Sequence, residues 1–199
     1  MNAVNASEVH VWRVRLEDVH DLSPTPGETA RAANFRFPQH REQYLRSHAA
    51  LRAILRGYTE APLDFVLAEG GKPYLPGAPH LKFNLSHSHE MALVGVALHT
   101  EVGVDVEHIR PLSDYAAMAE RFFPASEAAD VLDERDFFRR WTRIEAALKA
   151  LGIGIYGAGK ERTGSWTIEE IDVGPAYSAA VALPHADIEV VLHDFGGAA

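Results

Sequence analysis

Thr100-Glu-Val-Gly-Val-Asp-Val-Glu107 decides how the chain is organised. Its first two residues are a polar break, and the apolar run Val102 to Val106 has the composition of a buried strand. Upstream, Val9 to Leu16 alternates like a strand, and Leu22-Ser-Pro-Thr-Pro-Gly-Glu-Thr-Ala-Arg-Ala-Ala-Asn-Phe35 supplies turn residues and then a helix start. From Gln39 to Tyr58, the residues Tyr44, Leu45, Leu51, Ile54 and Leu55 recur with the period of a helix. Residues 70 to 80 hold three Gly and three Pro and read as an ordered loop, and Leu81 to Leu85 and Met91 to His99 read as strands. Downstream, helices are expected over Asp114–Phe123 and Ser126–Leu151, with Gly152 and Gly154 as terminators. Strands are then expected over Ser165–Ile171, Ala179–Leu183 and Ile188–Leu192. The order predicts an α+β protein of two halves, 1–101 and 102–199, packed tightly because no low-complexity linker separates them.

Composition narrows the chemistry. With 47% hydrophobic and 24% charged residues over 199 positions, the chain is a folded globular protein rather than a disordered or coiled-coil one. The absence of cysteine excludes disulfides, thiolate metal sites and a cysteine nucleophile within it. A net charge of −9 argues against a general nucleic-acid binder. That total hides a basic element, since Arg31 to Arg56 holds six arginines against Glu42 alone. No signal-peptide pattern opens the sequence and no apolar run is long enough to span a bilayer, so a cytoplasmic protein is expected.

Four local features could carry a reaction. Asp105 and Glu107 stand two apart in a strand and so project to one face. Burial of two adjacent acids raises their pKa values unless a cation neutralises them, and a pair of hard oxygen donors suits Mg²⁺. A solvated acidic edge strand is the ordinary alternative. Glu145 and Lys149 stand four apart on one helical face, which is equally the spacing of a surface ion pair. Phe83-Asn-Leu-Ser-His-Ser88 interrupts an apolar strand with polar residues, among which His87 could donate to a phosphate. His87 and His89 are placed on one strand face, where with Asp105 they form a second candidate set for zinc or iron. Lys72 lies in the Gly/Pro loop, which can aim an ammonium at an anion.

Taken in order, Gly71-Lys-Pro-Tyr-Leu-Pro76, Phe83-Asn-Leu-Ser-His-Ser88, Gly103-Val-Asp-Val-Glu107 and Trp141-Thr-Arg-Ile-Glu-Ala-Ala-Leu-Lys-Ala-Leu-Gly152 resemble the motif series of the surfactin-type 4′-phosphopantetheinyl transferases. The resemblance spans residues 71–152, and the arginine-rich helix before it is similar to the family's N-terminal half. It implies two similar α+β halves packed as an intramolecular pseudo-dimer, with coenzyme A in the cleft between them. It further implies a monomer that uses Mg²⁺ to move phosphopantetheine onto a serine of an apo acyl- or peptidyl-carrier protein, releasing 3′,5′-ADP. The matching positions make Asp105, Glu107 and Glu145 the metal acids. Lys72, Pro73, Ser86, His87 and Lys149 become coenzyme A contacts, with Lys149 facing the pyrophosphate. Asp105, Glu145 and Lys149 become the catalytic set, with Glu145 the base for the serine proton. Arg46, His48 and Arg52 are candidates for further phosphate contacts, Arg46 being the one chosen.

One departure stands out. The family usually carries a lysine immediately before the motif glutamate, where this chain has Ile144, and Arg143 is the neighbouring cation able to compensate if it turns inward. The same departure motivates the alternative of a non-catalytic module that binds coenzyme A or a carrier protein. Because carrier proteins are acidic, docking is expected on the Arg31–Arg56 element or on aromatics around Phe122-Phe123.

Overall fold

The structure is a computed structural model that describes residues 4–153, 166–184 and 187–196. The elements in chain order are β1 (Glu8–Arg15), a 3-10 turn (Leu16–Asp18), α1 (Pro26–Ala33), α2 (Pro38–Arg56), β2 (Val66–Leu67), β3 (Pro73–Tyr74), β4 (Leu81–Ser88), β5 (Met91–Leu98) and β6 (Gly103–His108). They continue with α3 (Tyr115–Phe122), α4 (Ala125–Ala128), α5 (Glu134–Leu151), β7 (Thr167–Glu170), β8 (Tyr177–Leu183) and β9 (Glu189–Asp194).

Strand alternation builds four layers. The larger sheet has the order β4-β5-β1-β9 and the smaller has β6-β8-β7. One face of the larger sheet, with Val14, Phe83, Val94 and Val96, packs on Ala50, Leu51, Ile54 and Leu55 of α2. Its other face, with Val9, Val11, Leu93 and Ala97, meets Val104, Val106, Ala179, Val181 and Leu183 of the smaller sheet. The far side of the smaller sheet, with Ala180 and Ala182, is covered by Ala146, Ala147 and Ala150 of α5. Alanines permit this close approach, and so does Gly103. A Cβ there would lie 2.0 Å from the Ala146 carbonyl oxygen and 2.4 Å from the Ala150 nitrogen. Val104 and Val106 therefore point into the inter-sheet core, which leaves Gly103, Asp105 and Glu107 on the α5 side.

Four expectations change. The helix expected over Ser126–Leu151 is two, because the Asp133 side chain accepts from the Asp136 N–H at 2.8 Å and caps a new start for α5. Gly152 ends α5 at φ 72°, as expected, whereas Gly154 and Ser165 lie outside the described residues. The 70–80 loop contributes Pro73-Tyr74 to a two-residue ribbon with Val66-Leu67. The polar stretch at 86–88 does not end its strand: β4 runs to Ser88, and the reversal is confined to His89 and Glu90. Finally, β9 leaves the smaller sheet's neighbourhood and pairs parallel with β1, with His10 opposite Val191. Among the described residues, no helix is long and apolar enough to cross a membrane.

Candidate active site at the seam between the sheets

The site forms where β4 and β6 run side by side without being paired strands. β6 is the edge of its sheet, so its N–H groups toward β4 need partners. Side chains of β4 supply them. Asn84 Oδ1 accepts from Val104 N–H at 2.9 Å, Ser86 Oγ from Val106 N–H at 3.3 Å and Ser88 Oγ from His108 N–H at 3.1 Å. This explains the polar residues of the 83–88 motif: its even positions close the seam, while Phe83 faces the α2 core.

Having accepted, the two hydroxyls donate onward. Ser86 donates to Asp105 Oδ1 at 2.8 Å and Ser88 to Glu107 Oε2 at 2.8 Å. Lys149 reaches in from α5, donating to Asp105 Oδ1 at 2.5 Å and Ser86 Oγ at 2.9 Å. Residues 86, 105 and 149 are thus one hydrogen-bonded unit. Asp105 is 3% exposed, and among the described residues its buried Oδ2 has no hydrogen-bond partner.

All three acids are pushed above the usual carboxylate range. Burial is the main cause for Asp105, opposed by Lys149 and Ser86. Burial and then the Asp105 charge raise Glu107. Glu145, on α5, is raised by burial and by both other acids, against the pull of Lys149. Among the described residues no three such side chains stand preassembled as a cation cluster. The donor set nevertheless fits a hard divalent cation: three mutually repelling carboxylates, one with a buried oxygen lacking any donor.

The remaining candidates are placed as follows. His87 faces α2, where burial, His48, Lys149 and His40 together push it down to about 4. Its proton affinity has a consequence for stability. The unfolded chain takes up a proton near 6.5 and the folded chain does not until about 4, so folding stability drops as pH falls through that interval. Denaturant unfolding of the wild type should lose about 2–3 kcal/mol more than His87→Gln between those limits. Equal losses would show that His87 is not held neutral by its surroundings.

Lys72 donates to Glu101 Oε2 at 2.7 Å, Val102 O at 3.1 Å and Ala150 O at 3.0 Å, so all three N–H groups of its ammonium are engaged. It ties the loop to the start of β6 and the end of α5. Beside it, Pro73 lines a 160 Å³ cavity with Tyr74, Lys82 and Phe83. Arg46 is bound to the carbonyls of Leu16, Glu17 and Val19 and to Glu42, and Arg52 to Glu28 and the carbonyls of Leu22 and Ser23. Both hold the segment before α1 against α2. Of the three basic candidates on α2, His48 is the one whose charge reaches His87, and His40 joins it. Their spacing of eight along α2 was the signal available in the sequence.

His89 is not on the strand face expected for it. It sits in the turn at φ 53°, and its ring stacks on His108 at 4.7 Å, so it is not grouped with His87 and Asp105. Ile144 is 4% exposed and packs with Phe123, Phe137, Phe138 and Leu148. Arg143 turns to Glu170 at 3.5 Å, so it pairs with β7 rather than with the acids. Phe123, expected as a docking aromatic, is fully buried.

Residues 101–190 match the 4′-phosphopantetheinyl transferase superfamily. The chain is 39% identical over 168 residues to the 4′-phosphopantetheinyl transferase HetI of Nostoc sp. strain PCC 7120, covering 75% of this chain and 71% of that protein. It is 35% identical over 153 residues to psf-1 of Bacillus pumilus, covering 71% and 64%, and 30% identical over 187 residues to AcpT of Escherichia coli K12, covering 90% and 87%. Matches that run through the seam, its acids and α5 over this much of both sequences establish that the chain belongs to the 4′-phosphopantetheinyl transferase superfamily.

Proposed function

We propose that this protein transfers 4′-phosphopantetheine from coenzyme A to a serine of an apo acyl- or peptidyl-carrier protein, as a holo-carrier synthase of the surfactin type. The observation that carries the reading is the convergence of Ser86, Asp105 and Lys149, contributed by three separate motifs, within 3 Å of one another. A chain that only bound coenzyme A would not need a buried acid with an unpartnered oxygen there. Helix α2 on one sheet and α5 on the other support a two-half pseudo-dimer divided at 101/102, apart from β9, which crosses back to pair with β1, and such a chain needs no second copy. A cytoplasmic monomer is the corresponding state.

Asp105, Glu107 and Glu145 would hold Mg²⁺, which when bound supplies charge neutralisation for the pyrophosphate. Ser86, His87, Lys72, Pro73 and Arg46 are assigned to coenzyme A as binding residues. For Lys72 and Arg46 this requires exchange of a present partner for a phosphate oxygen. Lys149 carries a compact ammonium on a flexible stem, suited to meet the negative charge growing on the leaving phosphate. The serine oxygen of the carrier forms a bond to the phosphorus bearing the pantetheine arm. The bond from that phosphorus to 3′,5′-ADP breaks, and the serine proton passes to Glu145. Glu145 lies close enough to Asp105 and Glu107 for their charges to act on it, which puts a carboxylate beside the reacting centre where it can take that proton. Chromatography of the reaction with an apo carrier should show 3′,5′-ADP formed in step with carrier consumed. Coenzyme A depletion without a carrier would contradict the assignment.

The partner surface is assigned to the N-terminal end of α2. Arg36, Phe37, His40 and Arg41 are exposed there, with Phe37 52% exposed beneath the Arg36 guanidinium at 5.3 Å. The charge of His40 acts on His87, so this end of α2 lies on the side of the site. Binding of an acidic carrier should weaken on the order of tenfold between low and high salt, measured by titration calorimetry. Salt-independent affinity would contradict electrostatic docking.

A further inference from the structure

Ser88 has no role in the reaction described so far, yet it holds one of the acids. Its hydroxyl has a single proton, and the geometry determines where that proton goes. The His108 N–H donates to Ser88 Oγ at 3.1 Å, so one lone pair of the oxygen is taken by β6. The proton is directed to Glu107 Oε2 at 2.8 Å. Ser86 makes the same arrangement one pleat earlier, accepting from Val106 N–H and donating to Asp105 Oδ1. Ser86 meets Asp105 and Ser88 meets Glu107 at an identical sequence separation of 19, so β4 lies in register with the acids.

The consequence is one-sided pinning. On Asp105, Ser86 and Lys149 both occupy Oδ1, and Oδ2 is left without a donor. On Glu107, Ser88 and Arg110, the latter at 3.3 Å, both occupy Oε2. Among the described residues, each acid is therefore held by side-chain donors through one oxygen, which turns its other oxygen toward a ligand. Ser88 differs from Ser86 in that Lys149 does not touch it, so its removal leaves the ammonium network intact.

We propose that Ser88 is a positioning residue for the divalent cation, orienting Glu107 as a ligand while anchoring the edge of β6. The inference rests on the Mg²⁺ reading above. Hydrogen-bonding partners of metal ligands typically change metal affinity about 10–100-fold when removed. A purely structural Ser88 would instead alter folding alone.

The test is Mg²⁺ titration of the coenzyme A-loaded full chain, read by calorimetry and by the Mg²⁺-dependent rise in melting temperature. Ser88→Ala should weaken Mg²⁺ binding about tenfold, with KM for coenzyme A changed less than about twofold. Ser88→Thr, which retains the hydroxyl, should restore binding to within about threefold of wild type. Should Ser88→Ala fail to fold, Ser88→Thr and Ser88→Cys are compared instead, since a thiol donates weakly and should still lower Mg²⁺ affinity. A wild-type protein that shows no Mg²⁺-dependent shift overturns the metal reading itself. A wild type that shifts, with an alanine variant shifting equally, overturns only the role of Ser88.

Discussion

Asp105→Ala lowers turnover by at least about 10²-fold at saturating coenzyme A, with the protein still folded. The carboxylate stands where the three motifs meet: it accepts from Ser86 and Lys149 and holds one oxygen in reserve in a buried position. In the proposed reaction its removal takes away a cation ligand and releases Lys149 from its partner, so charge stabilisation fails from two sides. Folding is affected far less. Burial of Asp105 is itself unfavourable, which its raised pKa expresses, and its charge also raises Glu107 and Glu145. Acids with raised pKa values bind more protons folded than unfolded, so they subtract stability as pH rises through the interval between the ordinary and raised values. Alanine at 105 relieves that repulsion while unpairing Lys149, and the two effects oppose each other. Steady-state rates over a Mg²⁺ series, with circular dichroism of both proteins, check this. A variant retaining more than about a tenth of wild-type turnover would remove Asp105 from the catalytic set.

Ile144→Lys, which would restore the residue usual in the family, is expected to destabilise the fold by about 3–5 kcal/mol rather than improve activity. At 4% exposure among Phe123, Phe137, Phe138 and Leu148, an ammonium would be taken out of water into an apolar cluster. The isoleucine belongs to the small core that fixes α3 to α5, and α5 carries both Glu145 and Lys149. Disturbing it should lower activity through position, not charge. Urea unfolding of Ile144→Lys beside Ile144→Val separates the effects, because the valine should cost only about 0.5–1.5 kcal/mol. A lysine variant as stable as the valine, with tighter coenzyme A binding, would contradict this account of residue 144.

Much of this architecture was legible locally. The pleat of Gly103-Val-Asp-Val-Glu107 already separated valines from acids, and the structure sends the valines to the inter-sheet core. The α5 terminus was marked by Gly152, whose left-handed φ of 72° suits glycine. What stayed hidden depends on distant partners. The period of β9 says strand, but only assembly of the sheet shows that it returns to β1 in parallel. Asn84, Ser86 and Ser88 look like a flaw in an apolar strand until the unpaired edge of β6 is set opposite them. Arg46 was the phosphate candidate chosen from α2. Its carbonyl partners come from the turn after β1, about thirty residues away, a contact no helical periodicity announces. Alternation puts His89 on the face of His87, but β4 ends one residue earlier and His89 falls in the turn.

In the proposed reaction, the seam joining Ser86, Asp105 and Lys149 moves a phosphopantetheine group onto a carrier protein. Intact-mass spectrometry of an apo carrier protein incubated with this protein, coenzyme A and Mg²⁺ tests it most directly. The carrier is expected to gain the mass of one phosphopantetheine group, chelation of Mg²⁺ to stop the gain and Asp105→Ala to show almost none. Measurable coenzyme A binding with no mass gain on fatty-acid, polyketide or peptide carriers would contradict it and leave a binding module in its place.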